Sequence, residues 1–259
     1  MRLPSFTHIR ITLLLTVLLV AGLVSAHQYV YSRNWNQTLN VTVFPLNADG
    51  HLATDRYIRT LSDETFSAIN HWGVREAERH NLALKAPFDV KLGEQIKKLP
   101  PTFPNNANAV DVLFWGLRFR WWAWRNTPDD DKGLTRVRMF VMYHEGEDDR
   151  PLAHSLGMQK GLMGLVHAFA RPRQTAQNNI VVAHELLHTV GAFDKYEAYG
   201  NPAYPYGFAN PNRQPLFPQR KAEVMAGRIP TSRYSSYMAE SLRSVMINDF
   251  TASEINWIE

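Results

Sequence analysis

The chain predicts an α+β fold, and three observations carry that prediction. Short β-branched runs with strand alternation are interspersed with segments of helical periodicity up to Thr189. Periodicity then fades, and Ala203 to Pro218 is dominated by proline, tyrosine and phenylalanine with turn residues between them. Hydrophobic residues make up 45% of 259 residues, ample for the core of one domain or a closely joined pair. The expected organisation is an N-terminal targeting segment over 1–31 and a main domain over 32–259. That domain divides into an upper subdomain of about 32–191 and a smaller irregular subdomain of about 192–259.

The elements follow in chain order. Arg2 and Arg10 precede an apolar run from Ile11 to Ala26, broken only by Thr12, Thr16 and Ser25. The run is short for a full membrane span and long for the core of a signal peptide. Val24-Ser25-Ala26 suits cleavage, yet apolar character resumes at Tyr29-Val30-Tyr31, so signal peptide and uncleaved anchor both stay open. Either one keeps the arginines inside and puts the rest of the chain outside the cytoplasm, in the cell envelope. Leu39 to Phe44 alternates as a strand, and Asn47-Ala48-Asp49-Gly50 turns the chain. Ser62 is placed to cap a helix running to about Asn81, with Phe66, Ile69, Trp72 and Ala77 on its inner side. Phe88 to Leu92 is a short strand, and Leu99 to Asn106 a proline- and asparagine-rich loop.

Val110, Leu113, Phe114, Leu117, Trp121 and Trp124 recur at helical spacing and predict a second helix with that stripe as its apolar face. Arg118, Arg120 and Arg125 are interleaved with its aromatics and read as a basic edge. Asp129 to Asp131 lack the alternating spacing of a calcium loop and read as a solvated turn. Arg136 to Tyr143 and Leu162 to Ala170 are strands, and His167 in the latter reads as structural. Near the end, Thr251-Ala252-Ser253-Glu254 has the form of a capping box opening a last helix through Ile258.

Composition removes several classes of function. There is no cysteine, which excludes a disulfide framework and any thiolate-ligated metal site. The formal charge is +4; Arg2 and Arg10 supply two of it, leaving +2, too mild to argue for nucleic acid.

The chemistry concentrates in His184-Glu185-Leu186-Leu187-His188, followed by Gly191 and Asp194. On a helix, His184 and His188 share one face one turn apart. Gly191 can take the left-handed conformation that ends a helix. Asp194 then returns from outside as a third ligand, and Glu185 beside the first histidine is placed to act as a base. Two histidines, a carboxylate and an open position form a catalytic zinc site. A bare HExxH pattern arises on the order of once in fifty such chains; the added glycine and aspartate lower that to roughly one in ten thousand.

This motif resembles the HExxHxxGxxD form of the metzincin clan of zinc metallopeptidases, as in the snapalysin-type bacterial proteases. The strict likeness covers His184, Glu185, His188, Gly191, Asp194 and one downstream methionine. Met225 is preferred for the methionine turn under the metal because Gly227 and Pro230 lie beside it, with Met238 as competitor. The resemblance implies a twisted mixed sheet packed on two helices, one of them the HExxH helix. It also implies an endopeptidase that hydrolyses peptide bonds of a peptide or protein substrate, with Zn2+ held by His184, His188 and Asp194 and a water deprotonated by Glu185. An edge strand that pairs with extended substrate is expected at Leu165 to Phe169, and Ala203 to Pro218 is expected to wall the cleft. Some metzincins place a tyrosine two residues after the methionine, where this chain has Gly227. Tyr196, Tyr199, Tyr204 and Tyr206 are the alternatives.

Two other readings stand beside this one. A gluzincin or aspzincin would take a different third ligand, with Glu223 the candidate for the former. A non-catalytic envelope protein would keep the zinc for stability, although intact Glu185 is superfluous there. The N-terminal segment, if uncleaved, makes the membrane a further partner.

Overall fold

Alternation along the strands sets the architecture. The computed structural model describes residues 5–104, 108–128, 133–146, 155–159, 161–197 and 200–258. Strands β1 (Leu39–Asn47), β2 (Phe88–Leu92), β3 (Val137–His144), β4 (Leu156–Met158) and β5 (Met163–Phe169) form one sheet in the order β2-β1-β3-β5-β4. All neighbours pair parallel except β4, which is antiparallel to β5. The predicted mixed sheet and helices are therefore present.

Helices cover both faces of this sheet. Val41, Val43, Val137, Met139, Val141 and Val166 point into a core shared with α3 (Asp63–Arg79) and α5 (Thr175–Thr189). Phe44, Leu46, Phe140 and Leu165 point the other way, against Trp115, Phe119 and Trp122 of α4 (Ala109–Asn126). The strand order explains the split. The β1-to-β2 crossover moves one way along the sheet and the β2-to-β3 crossover moves back, and crossovers of one hand then put their helices on opposite faces.

The α3 helix matches its prediction. Ser62 is the N-cap, with Thr65 completing a capping box, and Phe66, Ile69, Trp72 and Ala77 are buried. The α4 helix exists where expected, but its face is inverted. Val110, Leu113, Phe114, Leu117, Trp121 and Trp124 are all more than half exposed, and Trp115, Phe119 and Trp122 are buried instead. This helix has two apolar faces, so periodicity alone offers both, and the sheet selects the one that carries Trp115, Phe119, Trp122 and Ala123.

Other departures are local. A helix α2 (Leu52–Ile58) follows the Asn47–Gly50 turn, and the edge strand β4 precedes β5; both are short enough to lack a period. The last helix, α6 (Asp249–Glu254), begins before the expected box: Asn248 caps it by accepting from Thr251 N–H, and Thr251 is buried inside it. Between Asp194 and α6, short pairs β6 (Ala222–Glu223) with β9 (Val245–Met246) and β7 (Arg228–Pro230) with β8 (Ser236–Met238) organise an otherwise irregular segment. The Asp129–Asp131 turn lies outside the described residues.

The first helix, α1 (Phe6–Arg33), has 28 residues and is long and apolar enough to cross a membrane. Its most apolar window is wholly unburied, whereas Gln28 and Ser32 at its foot are buried. Arg33 donates to the Glu254 carbonyl at 2.6 Å and to Asn256 Oδ1 at 3.0 Å, and Trp35 Nε1–H donates to the Ile255 carbonyl at 2.6 Å. The foot is thus fastened to the C-terminal end of the domain. Because β1, β2, β3 and β5 run parallel, their starts share one edge of the sheet. The α1 helix delivers the chain to that edge at β1, and α4 delivers it there at β3.

Candidate metal centre

The HExxH segment occupies the last two turns of α5, whose Asn179, Ile180, Val182, Ala183, Leu186 and Leu187 are buried against the sheet and α3. Gly191 has φ of 109°, a value that L side chains rarely adopt. Ala192 N–H then bonds back to the Leu187 carbonyl, closing the helix as a glycine C-cap does. The chain reverses there and brings Asp194 over the two histidines.

Three ligand-type atoms meet. His184 Nε2 and His188 Nε2 are 3.0 Å apart, and Asp194 Oδ1 is 3.1 Å from each. The outer nitrogens fix the tautomers. His184 Nδ1 lies 3.0 Å from the Val224 carbonyl and His188 Nδ1 lies 2.8 Å from the Ala192 carbonyl. A carbonyl only accepts, so each Nδ1 carries the hydrogen, and each neutral ring turns its Nε2 lone pair inward. Two lone pairs and a carboxylate oxygen at such distances repel one another unless a proton or a cation sits among them. Ligand atoms at tetrahedral bond lengths around zinc lie about 3.3 Å apart, close to the separations found. This donor set fits a zinc ion.

Protonation follows the same geometry. Burial works against a charged His184, but its hydrogen bond to Asp194, the Glu185 charge and the Val224 carbonyl together hold its pKa above the ordinary histidine value. Burial likewise opposes ionised Asp194, and the two histidine hydrogen bonds outweigh it, keeping the carboxyl well below the usual range. Glu185 behaves oppositely: burial pushes its carboxyl up, against the pull of the two histidines. Its Oε1 lies 4.0 Å from His184 Nε2. Its Oε2 is buried with no hydrogen-bond partner; the Gly157 amide approaches the carboxylate without satisfying that oxygen. His184, Glu185 and His188 form a close group of metal-binding type. Asp194 nevertheless sits nearer to both Nε2 atoms than Glu185 does, so Asp194 fits a ligand's place and Glu185 a place beside it.

Met225 is fully buried in a tight turn, where Ala226 and Gly227 N–H return to the Glu223 carbonyl. The same turn supplies the Val224 carbonyl to His184 and the Met225 carbonyl to Lys195 N–H. Met238 is partly exposed on β8 instead. Glu223, the rival ligand, is committed elsewhere: Oε1 accepts from the Thr251 hydroxyl at 2.7 Å and Oε2 from Met225 N–H at 2.6 Å. Among the four tyrosines weighed, Tyr196 feels Asp194 and Glu185; burial and those charges push its phenol up to about 12. Tyr204 and Tyr206 pack on Phe208 and Phe250, and Tyr199 lies outside the described residues.

A cavity of about 320 Å³ opens beside Glu185, walled by Phe169, Ile180, Val181, Arg228 and Met238. Two expectations about the cleft are corrected, the first in part. The edge strand β4 covers β5 only from Met163 to Leu165, so the expected Leu165 to Phe169 segment is overlaid at Leu165 alone, while its His167 and Phe169 do line the cavity. A Cβ on Gly157 of β4 would collide with His188 Cβ and the Glu185 carbonyl, so glycine lets the edge close on the helix. The Ala203–Pro218 loop does not wall this cavity; residues 224–228 do, because the β6–β7 turn packs on His184. His167, read as structural, is so in its hydrogen bonding and in addition lines the cavity. It pairs with His144 at 2.9 Å, and burial lowers its pKa to about 4, so it is a neutral hydrogen-bonding group there. Its partner on the neighbouring strand is set by register, which no single segment of sequence displays.

No family model and no curated protein matches this chain. Among solved structures, one described as "Structure of a chaperone-substrate complex" is similar at a TM-score of 0.41 and 12% identity. The match covers 85% of this chain, which spans 33% of the length of that one, and likeness at that level carries no functional argument.

Proposed function

We propose that this chain is an extracytoplasmic zinc-dependent endopeptidase of metzincin type, held at the membrane by α1. One observation carries the reading: three inward lone-pair atoms lie 3.0 to 3.1 Å apart, with the unsatisfied buried carboxylate of Glu185 alongside. His184, His188 and Asp194 would hold the ion. Zn2+ bound there supplies a Lewis acid and lowers the pKa of water toward neutrality.

The chain's own residues do the rest. Glu185 Oε2, raised in pKa by its surroundings, accepts a proton from water and returns one to the leaving amine. The Val224 and Ala192 carbonyls hold both imidazoles in the ligating tautomer. Tyr196, protonated across the whole neutral range, donates a hydrogen bond toward the negative charge that develops on the carbonyl oxygen. The outer edge of β4 pairs with an extended peptide, and the cavity beside Glu185 takes a side chain. The glycine turn at Gly191, the placement of Asp194 beside both imidazoles, the methionine turn and the commitment of Glu223 to Thr251 and Met225 support the metzincin reading over the gluzincin and aspzincin ones.

An anchor is favoured over a cleaved signal because α1 continues as one helix through Ala26 to Arg33, with no break at the Val24-Ser25-Ala26 site. The test is zinc stoichiometry of the purified full chain together with hydrolysis of an unstructured protein, with and without chelator. Glu185→Ala should retain zinc and lose hydrolysis. Zinc binding with no hydrolysis in the unsubstituted protein would sink the enzyme reading in favour of a structural site.

A further inference from the structure

The outer face of α4 has no covering in the fold. Val110, Leu113, Phe114, Leu117, Trp121 and Trp124 are 54% to 64% exposed and lie within about 100° of arc on the helix. They stand opposite the face that packs on the sheet. A contiguous exposed apolar stripe of this size on a helix whose opposite face is packed marks a contact surface, so something meets this stripe.

We infer that the C-terminal part of the stripe, at Leu117, Trp121 and Trp124, enters the interface of the same bilayer that α1 crosses, giving the domain a second membrane contact. Position favours a lipid surface over a protein partner. The α4 helix ends at the edge of the sheet where α1 delivers the chain. Arg136, at the start of β3, donates to the Pro128 carbonyl just past α4, and the turn at Gly133–Thr135 packs against α1. Composition agrees. Trp121 and Trp124, near that edge, are the side chains that settle at headgroup level. Arg118 and Arg125 flank the stripe, are exposed, and suit anionic headgroups. The α1 helix itself does not cover the stripe, since its apolar window is unburied. The inference rests on α1 being an anchor.

The absence of native cysteine makes the test direct. Single cysteines at Leu117, Trp121, Val74 and Leu18 of the full chain receive an environment-sensitive fluorophore. The protein is then reconstituted in phosphatidylcholine vesicles with or without phosphatidylglycerol. Labels at 117 and 121 should be quenched by lipid-borne nitroxide and shielded from aqueous iodide, while the label at 74, on α3 and exposed, shows the reverse. Arg118→Glu and Arg125→Glu should each weaken the lipid contact about fivefold in anionic vesicles only. Iodide quenching at 117 and 121 overturns the inference. Shielding without nitroxide quenching also overturns it, and assigns the face to protein: a second copy if shielding grows with protein density. Leu18 separates the two readings. If it too escapes nitroxide, the anchor has failed and the second contact falls with it.

Discussion

The candidate metal centre has two halves of different construction. His184, Glu185 and His188 come from one helix, whose backbone hydrogen bonds fix their spacing and whose buried Leu186 and Leu187 seat it on the core. Asp194 and Tyr196 come from a segment held by the far end of the chain. Lys195 Nζ is buried and pairs with Glu254 at 2.5 Å, and the same Glu254 oxygen accepts from Phe193 N–H. Arg33 closes on Gly191 and on the Glu254 carbonyl. The comparison teaches that local geometry places two candidate ligands, while the third candidate depends on α1 and α6, which sit at opposite ends of the sequence.

Substitutions can break that division or sharpen it. The largest effect belongs to the helix half. Glu185→Ala should lower hydrolysis by about 10²- to 10⁴-fold with zinc content unchanged, and a loss of zinc would show that Glu185 is a ligand instead of a base. Next comes Tyr196→Phe from the looped half. A transition-state donor is worth roughly a hundredfold in kcat with KM little altered; an unchanged kcat would leave the tyrosine without a role. Glu254→Gln removes the charge that restrains Lys195 and Phe193. Zinc affinity should fall about tenfold to a hundredfold, as for other outer-sphere supports, while circular dichroism of α5 stays the same. Affinity equal to the unsubstituted protein would mean that Asp194 needs no help from α6.

The smallest effect on turnover is expected at Glu223, which holds the methionine turn. Burial pushes this carboxyl from 4.5 up to about 7, against Thr251, Lys195 and the Met225 amide. A raised folded-state pKa means that the native protein binds the proton more tightly than the unfolded chain. The associated stability is complete below pH 4.5 and disappears as pH rises to about 7. Its size is on the order of 3 kcal/mol. Glu223→Gln should flatten the decline of denaturation midpoint over that window, measured against the unsubstituted chain. Parallel slopes for the two proteins would place the titration elsewhere.

Legibility in the sequence varied with how local the determinant was. Strand alternation exposed β1, β2, β3 and β5 because each buries side chains on defined faces. The α3 helix was legible because only one of its faces is apolar. The α4 helix was legible as a helix, but its packed face was not, since a helix with two apolar faces leaves the choice to the sheet. The edge strand β4 has three residues and no period, and its position in the sheet comes only from pairing with β5. The His144–His167 pair was invisible because each histidine stands alone in its own strand.

By itself, the sequence determined the spacing of His184, Glu185 and His188, the glycine that ends their helix, the absence of any thiol chemistry and the apolar run at the start. Each of these is a property of residues within a few turns of one another, where backbone geometry converts spacing directly into position. The tertiary structure decided which oxygen faces the two imidazoles, that Tyr196 comes near Asp194, which methionine lies in the turn and which side of α4 is left uncovered. Those outcomes depend on surfaces assembled from distant segments, and the free energy that selects among them is released only when the sheet, the C-terminal turns and the foot of the first helix are all in place.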